Sequence, residues 1–242
     1  MMKCHRHQSS GSISIVSINI ITSKFTMSTP KYKVIYFNFQ WIAEPIRYLL
    51  CYVKEDFEDV RLDWEEWERP DGKIDKSLYR YEKLPILEDT ENGLILGQSF
   101  SIARYLGRKY NLVGATDAEA AKCDEYADVL KDISKEIELM VEADEEKKAE
   151  LKTQIKTNLL EKTVPRYYSV IESDLKNNGG KYLVGNAITW IDFVCAHMSD
   201  RFSNCLEIDV LANYPTLKEH QQQIFQIPEI KAWIAKRPVT HY

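Results

Sequence analysis

From Asp117 to its end this 242-residue sequence offers no convincing strand, whereas the stretch from Lys31 to about Tyr110 alternates strand and helix signals. That break constrains the fold more than any other feature, because strands and helices segregated along a chain imply two different layers of structure. "KYKVIYFNF" is β-branched and aromatic and follows Pro30. "EPIRYLLCYV" reads as an amphipathic helix with Pro45 in its first turn, where a missing N–H costs nothing. "FEDVRL" makes a second strand, expected to lie parallel to the first across a right-handed crossover. After an irregular charged stretch, "PILED" and "LIL" are joined through Glu91-Asn92-Gly93, a hairpin signal. Ser99 then stands as the cap of a third helical pattern, "SFSIARYLGRKY".

The second half is helical throughout. A long amphipathic run, "AEAAKCDEYADVLKDISKEIELMVEA", continues into a segment that Pro165 kinks or divides and Gly179-Gly180 ends. Thr189 and Asp192 have the spacing of a reciprocal helix cap, and Pro215 and Pro228 each open a short helix. The predicted architecture is a small α/β domain over residues 30–110, a linker at 111–116 and an all-α domain over 117–242.

Residues 1–26 carry basic residues and serines but no acid, the composition of an organelle transit peptide. Met27 offers an alternative start. Residues 1–29 are therefore set apart as a disordered or leader extension, and Cys4-His5-Arg6-His7 within them is read as tail, so no metal is expected. A net charge of −5 argues against a nucleic-acid or anionic-membrane partner, and no apolar run reaches the roughly 20 residues a membrane span needs. The five cysteines, widely spaced, form neither a disulfide framework nor a zinc pattern, which fits a reducing, cytoplasmic setting.

Four features of the first domain invite a chemical reading. Tyr36 ends the first strand. Leu84-Pro85 precedes a strand that would reject proline in its middle, so a cis bond there would turn the Leu84 backbone toward a peptide-like ligand. Gln98-Ser99 lies at a helix N-terminus, where free N–H groups and a hydroxyl suit a carboxylate. Lys73, Lys76 and Lys83, with Trp67, are placed to hold a second carboxylate. Each alone has a plainer reading: a core tyrosine, a structural cap, solvated lysines, a packing tryptophan. Their conjunction, in order, points to a site.

With "YKVIYFN", "AEPIRYLL", "KLPILED", "LGQSFSIARYL", "LVGAT", "YLVGNAITWIDF" and "IKAWIAKRPVT", the sequence resembles glutathione transferases of the sigma class, its insect branch above all, over residues 31–240. The resemblance implies a thioredoxin-like domain followed by a helical one, a homodimer, glutathione as co-substrate and no separate cofactor. It implies that Tyr36 donates to the glutathione sulfur and favours the thiolate. Leu84 would pair with the cysteinyl unit beside a cis Pro85, while Gln98 and Ser99 would take the γ-glutamyl carboxylate. Trp67 with Lys76 or Lys83 would hold the glycyl end, although counting forward from Trp67 favours Lys73. Asp132 would reach across the dimer. Phe37, Phe39 and Ile42 would wall a pocket for a hydrophobic electrophile.

The chain departs from that pattern in three places. Vertebrate and cephalopod members carry Arg-Gly-Arg where this chain has Gln40-Trp41-Ile42, so a charge near the tyrosine is lost. The stretch between Trp67 and Pro85 is longer, with "ERPDGKIDK" inserted, and Glu82 sets a like charge near a carboxylate site. The expected activity is conjugation of glutathione to soft electrophiles such as lipid-peroxidation alkenals and xenobiotics, with hydroperoxide reduction and prostaglandin isomerisation as side activities. The rival expectation is a catalytically weak ligand-binding or structural protein of the lens-crystallin kind.

Overall fold

The computed structural model describes residues 30–69, 74–141 and 145–240; the leader, including Cys4 to His7, and Lys73 lie outside the described residues. Strand β1 (Tyr32–Phe37) is followed by helix α1 (Glu44–Tyr52) and strand β2 (Phe57–Leu62). The two strands pair in parallel from Tyr32↔Phe57 to Phe37↔Leu62, as a β-α-β unit requires. Strands β3 (Ile86–Asp89) and β4 (Leu94–Gly97) form the hairpin, and the four-stranded sheet has the order β2-β1-β3-β4.

β1 is covered on both faces, which is why its sequence is apolar without interruption. Tyr32, Val34 and Tyr36 face the main core, whereas Ile35 faces a second cluster with Leu62, Trp67, Tyr79 and Ile86. The charged stretch after β2 is not wholly irregular. Asp63 and Glu66 make a reciprocal cap that starts a short helix, α2 (Trp64–Glu68). A single 3₁₀ turn, Lys76–Leu78, follows, with Asp75 accepting from the Ser77 N–H.

Helix α3 (Ser99–Lys109) corrects one sequence expectation. Ser99 is the first helical residue and not the cap; Gln98 holds the cap position at φ +70° and makes no side-chain cap bond there. The strand therefore turns into the helix within one residue, leaving no room for an extended capping serine.

The helical half comprises α4 (Asp117–Val141), α5 (Glu145–Asn158), α6 (Val164–Asn177), α7 (Trp190–Leu206), α8 (Pro215–Gln226) and α9 (Pro228–Lys236). Between α5 and α6 the backbone does not break. A π turn, Leu159–Thr163, absorbs the missing N–H of Pro165, and Glu136 on α4 accepts from Asn158 and Thr163 at its two ends. The cap expected at the start of α7 is present. Asp192 accepts from the Thr189 N–H (2.7 Å), its hydroxyl (2.8 Å) and the Leu183 N–H (2.9 Å), and pairs with His220 Nε2 (2.8 Å). Where α3 crosses α7, Gly107 gives the clearance: a Cβ there would stand 2.8 Å from the Trp190 ring. One continuous core joins sheet and helices.

Candidate active site

The sheet register decides which candidates can meet. Ile35 on β1 pairs with Ile86 on β3, and Ile86 pairs with Gly97 on β4. Neighbouring strands run antiparallel here, so the next residue of β1, the preceding residue of β3 and the next residue of β4 share one end of the sheet. Those residues are Tyr36, Pro85 and Gln98. Three candidates scattered over more than sixty positions are thus brought to one edge by strand pairing alone.

Tyr36 is only 4% exposed and sits among aromatic rings. Phe37 and Phe39 lie edge-on to it at 5.6 and 5.3 Å, and stack on each other at 5.4 Å; Trp64 stacks on Phe37 at 5.1 Å. Burial pushes the phenol's pKa up, against the pull of the buried Arg47 guanidinium and with a push from Glu138 on α4. The hydroxyl therefore stays protonated throughout the physiological range and is available as a donor. Ile42 lines a small cavity with Pro45, Ser99, Phe100, Ala103, Val194 and Met198, between the starts of α1 and α3 and the face of α7.

The Leu84–Pro85 bond is cis, with Leu84 half-buried and Pro85 buried. Gln98 is exposed, and the first intrahelical bond of α3 runs from the Ile102 N–H to its carbonyl. The N–H groups of Ser99 and its two successors therefore have no partner within the helix, and they meet the positive end of its dipole. Such a helix start suits a carboxylate in geometry and charge.

At the flank, Trp67 is buried and the Lys76 ammonium lies 4.7 Å over its ring, with Glu68 at 3.6 Å. Lys83 is exposed beside Leu84, and Glu82 before it is exposed at φ +47°. Asp132 comes from the exposed side of α4, its carboxylate 3.6 Å from Lys135.

Sequence reasoning missed the charged base beneath this site. Glu44 and Arg47 are fully buried, joined at 2.9 Å. Glu44 also accepts from Trp233 Nε1 (2.7 Å) and Arg237 (2.8 Å), while Arg47 reaches Asp59 (2.8 Å) and the Phe39 carbonyl (3.3 Å). Burial would raise the Glu44 pKa, but Arg47, His197 and Arg237 bring it down to about 2. The spacing of Glu44 and Arg47 on one helix was a legible signal; nothing local marked Trp233 or Arg237 as their partners.

Comparison with known proteins shows what the whole chain is similar to. Residues 131–237 match the family described as "Glutathione S-transferase, C-terminal domain". A Caenorhabditis elegans protein named probable glutathione S-transferase 9 is 31% identical, covering 86% of this chain and 98% of its own length. Rat hematopoietic prostaglandin D synthase is 35% identical, covering 87% and 98%. The solved structure of prostaglandin synthase D of Nilaparvata lugens superposes with a TM-score of 0.74 at 35% identity, covering 87% of this chain and all of that one.

Proposed function

The chain belongs to the glutathione S-transferase family, and we propose that this enzyme joins the glutathione thiolate to soft, apolar electrophiles, lipid-peroxidation alkenals and xenobiotics among them. The observation that carries the reading is the register that sets Tyr36, the cis Leu84–Pro85 pair and the start of α3 at one sheet end. A free thiol titrates near pH 8.5, so little of it is ionised at neutral pH. The Tyr36 O–H, kept protonated by burial, donates to the sulfur and stabilises its anion. The thiolate adds to the β-carbon of the alkenal, and the resulting enolate takes a proton from water.

The remaining candidates position the peptide. The γ-glutamyl carboxylate belongs at Gln98, Ser99 and the α3 N-terminus, the cysteinyl backbone at Leu84 beside Pro85, and the glycyl carboxylate near Trp67 with Lys76 and Lys83. Asp132 serves the γ-glutamyl amine of a neighbouring subunit in a homodimer. Phe37, Phe39 and Ile42 wall the electrophile side. The reading extends to a sigma-class, cytoplasmic detoxification enzyme without a separate cofactor. A relative named hematopoietic prostaglandin D synthase and a solved structure named prostaglandin synthase D favour prostaglandin isomerisation as a second activity, beside hydroperoxide reduction.

The test is steady-state conjugation of glutathione to chlorodinitrobenzene and 4-hydroxynonenal by wild type and Tyr36→Phe. Loss of one preorganised donor lowers kcat/KM by about 10²–10³, while the glutathione Kd changes little. The uncharged Gln40-Trp41-Ile42 turn, buried at Gln40 and Trp41 and half-buried at Ile42, favours a second reading, a binding protein on this fold. A folded wild type that binds glutathione and turns over neither electrophile would establish that one instead.

A further inference from the structure

The turn between β1 and α1 has all three of its central carbonyls engaged. Phe39 O accepts from Arg47, and Gln40 O from the N–H groups of Ala43 and Glu44 at 3.3 and 3.2 Å. Trp41 O meets His197 Nε2 at 2.8 Å, although His197 lies 156 residues away on α7. Trp41 needs such a hold. Its φ is +30°, a region costly for a bulky L-residue by about 1–3 kcal/mol unless the surroundings over-determine it. Its side chain is nonetheless buried.

His197 is an expensive residue to keep for packing alone. It is fully buried, with its ring edge-on to Tyr48 at 5.6 Å. A carbonyl only accepts, so Nε2 carries the hydrogen. Nδ1 is then the bare nitrogen, and it has no hydrogen-bond partner among the described residues. A leucine would fill that space without a buried, unsatisfied acceptor. What the histidine supplies is a side-chain donor from α7 to Trp41 O, which otherwise takes only the local Glu44 N–H among the described residues. Its neighbours on α7, Val194 and Met198, share a cavity with Ile42 and Ser99, so the same stretch of helix faces the turn and the start of α3.

We propose that His197 is a positioning residue for the electrophile pocket. By holding the Trp41 carbonyl it keeps the Gln40-Trp41-Ile42 turn folded inward, and the resulting narrow apolar wall selects slender electrophiles over branched ones. This specificity role rests on the transferase reading above; the hold on the turn does not.

Two variants test it: His197→Leu, which removes the donor, and His197→Gln, whose Nε2 amide can restore it. The first readout is acrylamide quenching of Trp41, taken as the difference between each protein and its Trp41→Phe counterpart. His197→Leu increases that quenching and His197→Gln does not; unchanged quenching in a folded His197→Leu protein overturns the hold. The second is the ratio of kcat/KM for the slender 4-hydroxynonenal to that for the branched ethacrynic acid, with glutathione affinity measured alongside. The ratio falls about fivefold in His197→Leu, the worth of one neutral hydrogen bond, and recovers in His197→Gln, while glutathione Kd stays within about twofold. A ratio that does not move, or that moves equally in both variants, overturns the specificity role. A wild type that conjugates neither compound refutes the transferase reading and that role with it, and the quenching result still decides whether His197 holds the turn.

Discussion

The indole N–H of Trp233 donates to the carboxylate of Glu44 across 2.7 Å and 189 residues of chain. Arg237, one turn further on, reaches the same oxygen at 2.8 Å and also the Tyr48 hydroxyl at 2.7 Å. The base of the candidate site is thus built from both ends of the described chain.

Glu44→Gln keeps an acceptor for Trp233 but removes the charge that Arg47 and Arg237 share. Breaking a buried pair on one side costs about 3–5 kcal/mol, and Arg47 retains Asp59, so the expected loss is near the lower end. Urea unfolding of the two proteins reads it. A loss of a few tenths of a kcal/mol would show that solvent reaches this cluster.

Acid stability has two separable parts. Burial lowers the His197 pKa to about 4, with Arg201 adding to the effect against the pull of Glu44. The unfolded chain therefore binds a proton that the folded one refuses, and stability falls as pH drops from about 6.5 to 4, by about 3 kcal/mol from this group. Glu44 is lowered to about 2, so its contribution, whole above about pH 4.5, is lost only as pH falls from there toward 2. His197→Leu, compared with wild type at pH 7, 5 and 4, should lose the upper part of the acid slope alone. Parallel pH profiles would show that His197 is not buried as a neutral ring.

Gly107→Ala should reverse a familiar sign. In a helix interior alanine normally gains about 1 kcal/mol over glycine. Here the added Cβ would stand 2.8 Å from Trp190, whose side chain is buried where α3 meets α7. Overpacking of this kind costs about 1–3 kcal/mol, so thermal unfolding should move to lower temperature. An unchanged or higher midpoint would mean that the two helices separate easily.

For the glycyl end, Lys76→Gln should raise the glutathione Kd by about tenfold, the worth of a hydrogen bond to a charged group. It should leave binding of the glycyl ethyl ester of glutathione unaltered, since that ligand lacks the carboxylate. Equal losses for both ligands in calorimetry would remove Lys76 from this role and turn attention to Lys83.

What the sequence disclosed follows the range of its interactions. β2 was readable to the residue, because a six-residue alternating strand and its parallel pairing are set by local pattern. The Thr189–Asp192 cap was equally plain, both partners lying within one turn. α2 was hidden among charges, since WEEWE shows little amphipathic contrast and its cap, Asp63 with Glu66, resembles surface acid. Ser99 was misplaced by one residue because nothing in the sequence shows that Gln98 takes a positive φ. Among the candidates, Tyr36, Pro85 and Gln98 were singled out by their conjunction in order along the chain, and only the register shows that they share one end of the sheet. Arg47, Trp233, Arg237 and His197 were not found as parts of it. Their partners are set by packing between the two halves.

The way Glu44 is satisfied bears on how the protein is made. Arg47 emerges with it from the ribosome, but Trp233 and Arg237 are synthesised 189 and 193 residues later. Until then the nascent chain holds a carboxylate that must be buried for α1 to seat, yet lacks two of the donors that make burial tolerable. The sheet can assemble early from its own hairpin and crossover, while the turn that carries Trp41 waits. A polypeptide stalled before α9 would hold its strands while the Glu44 carboxylate beneath them lacked two of its donors.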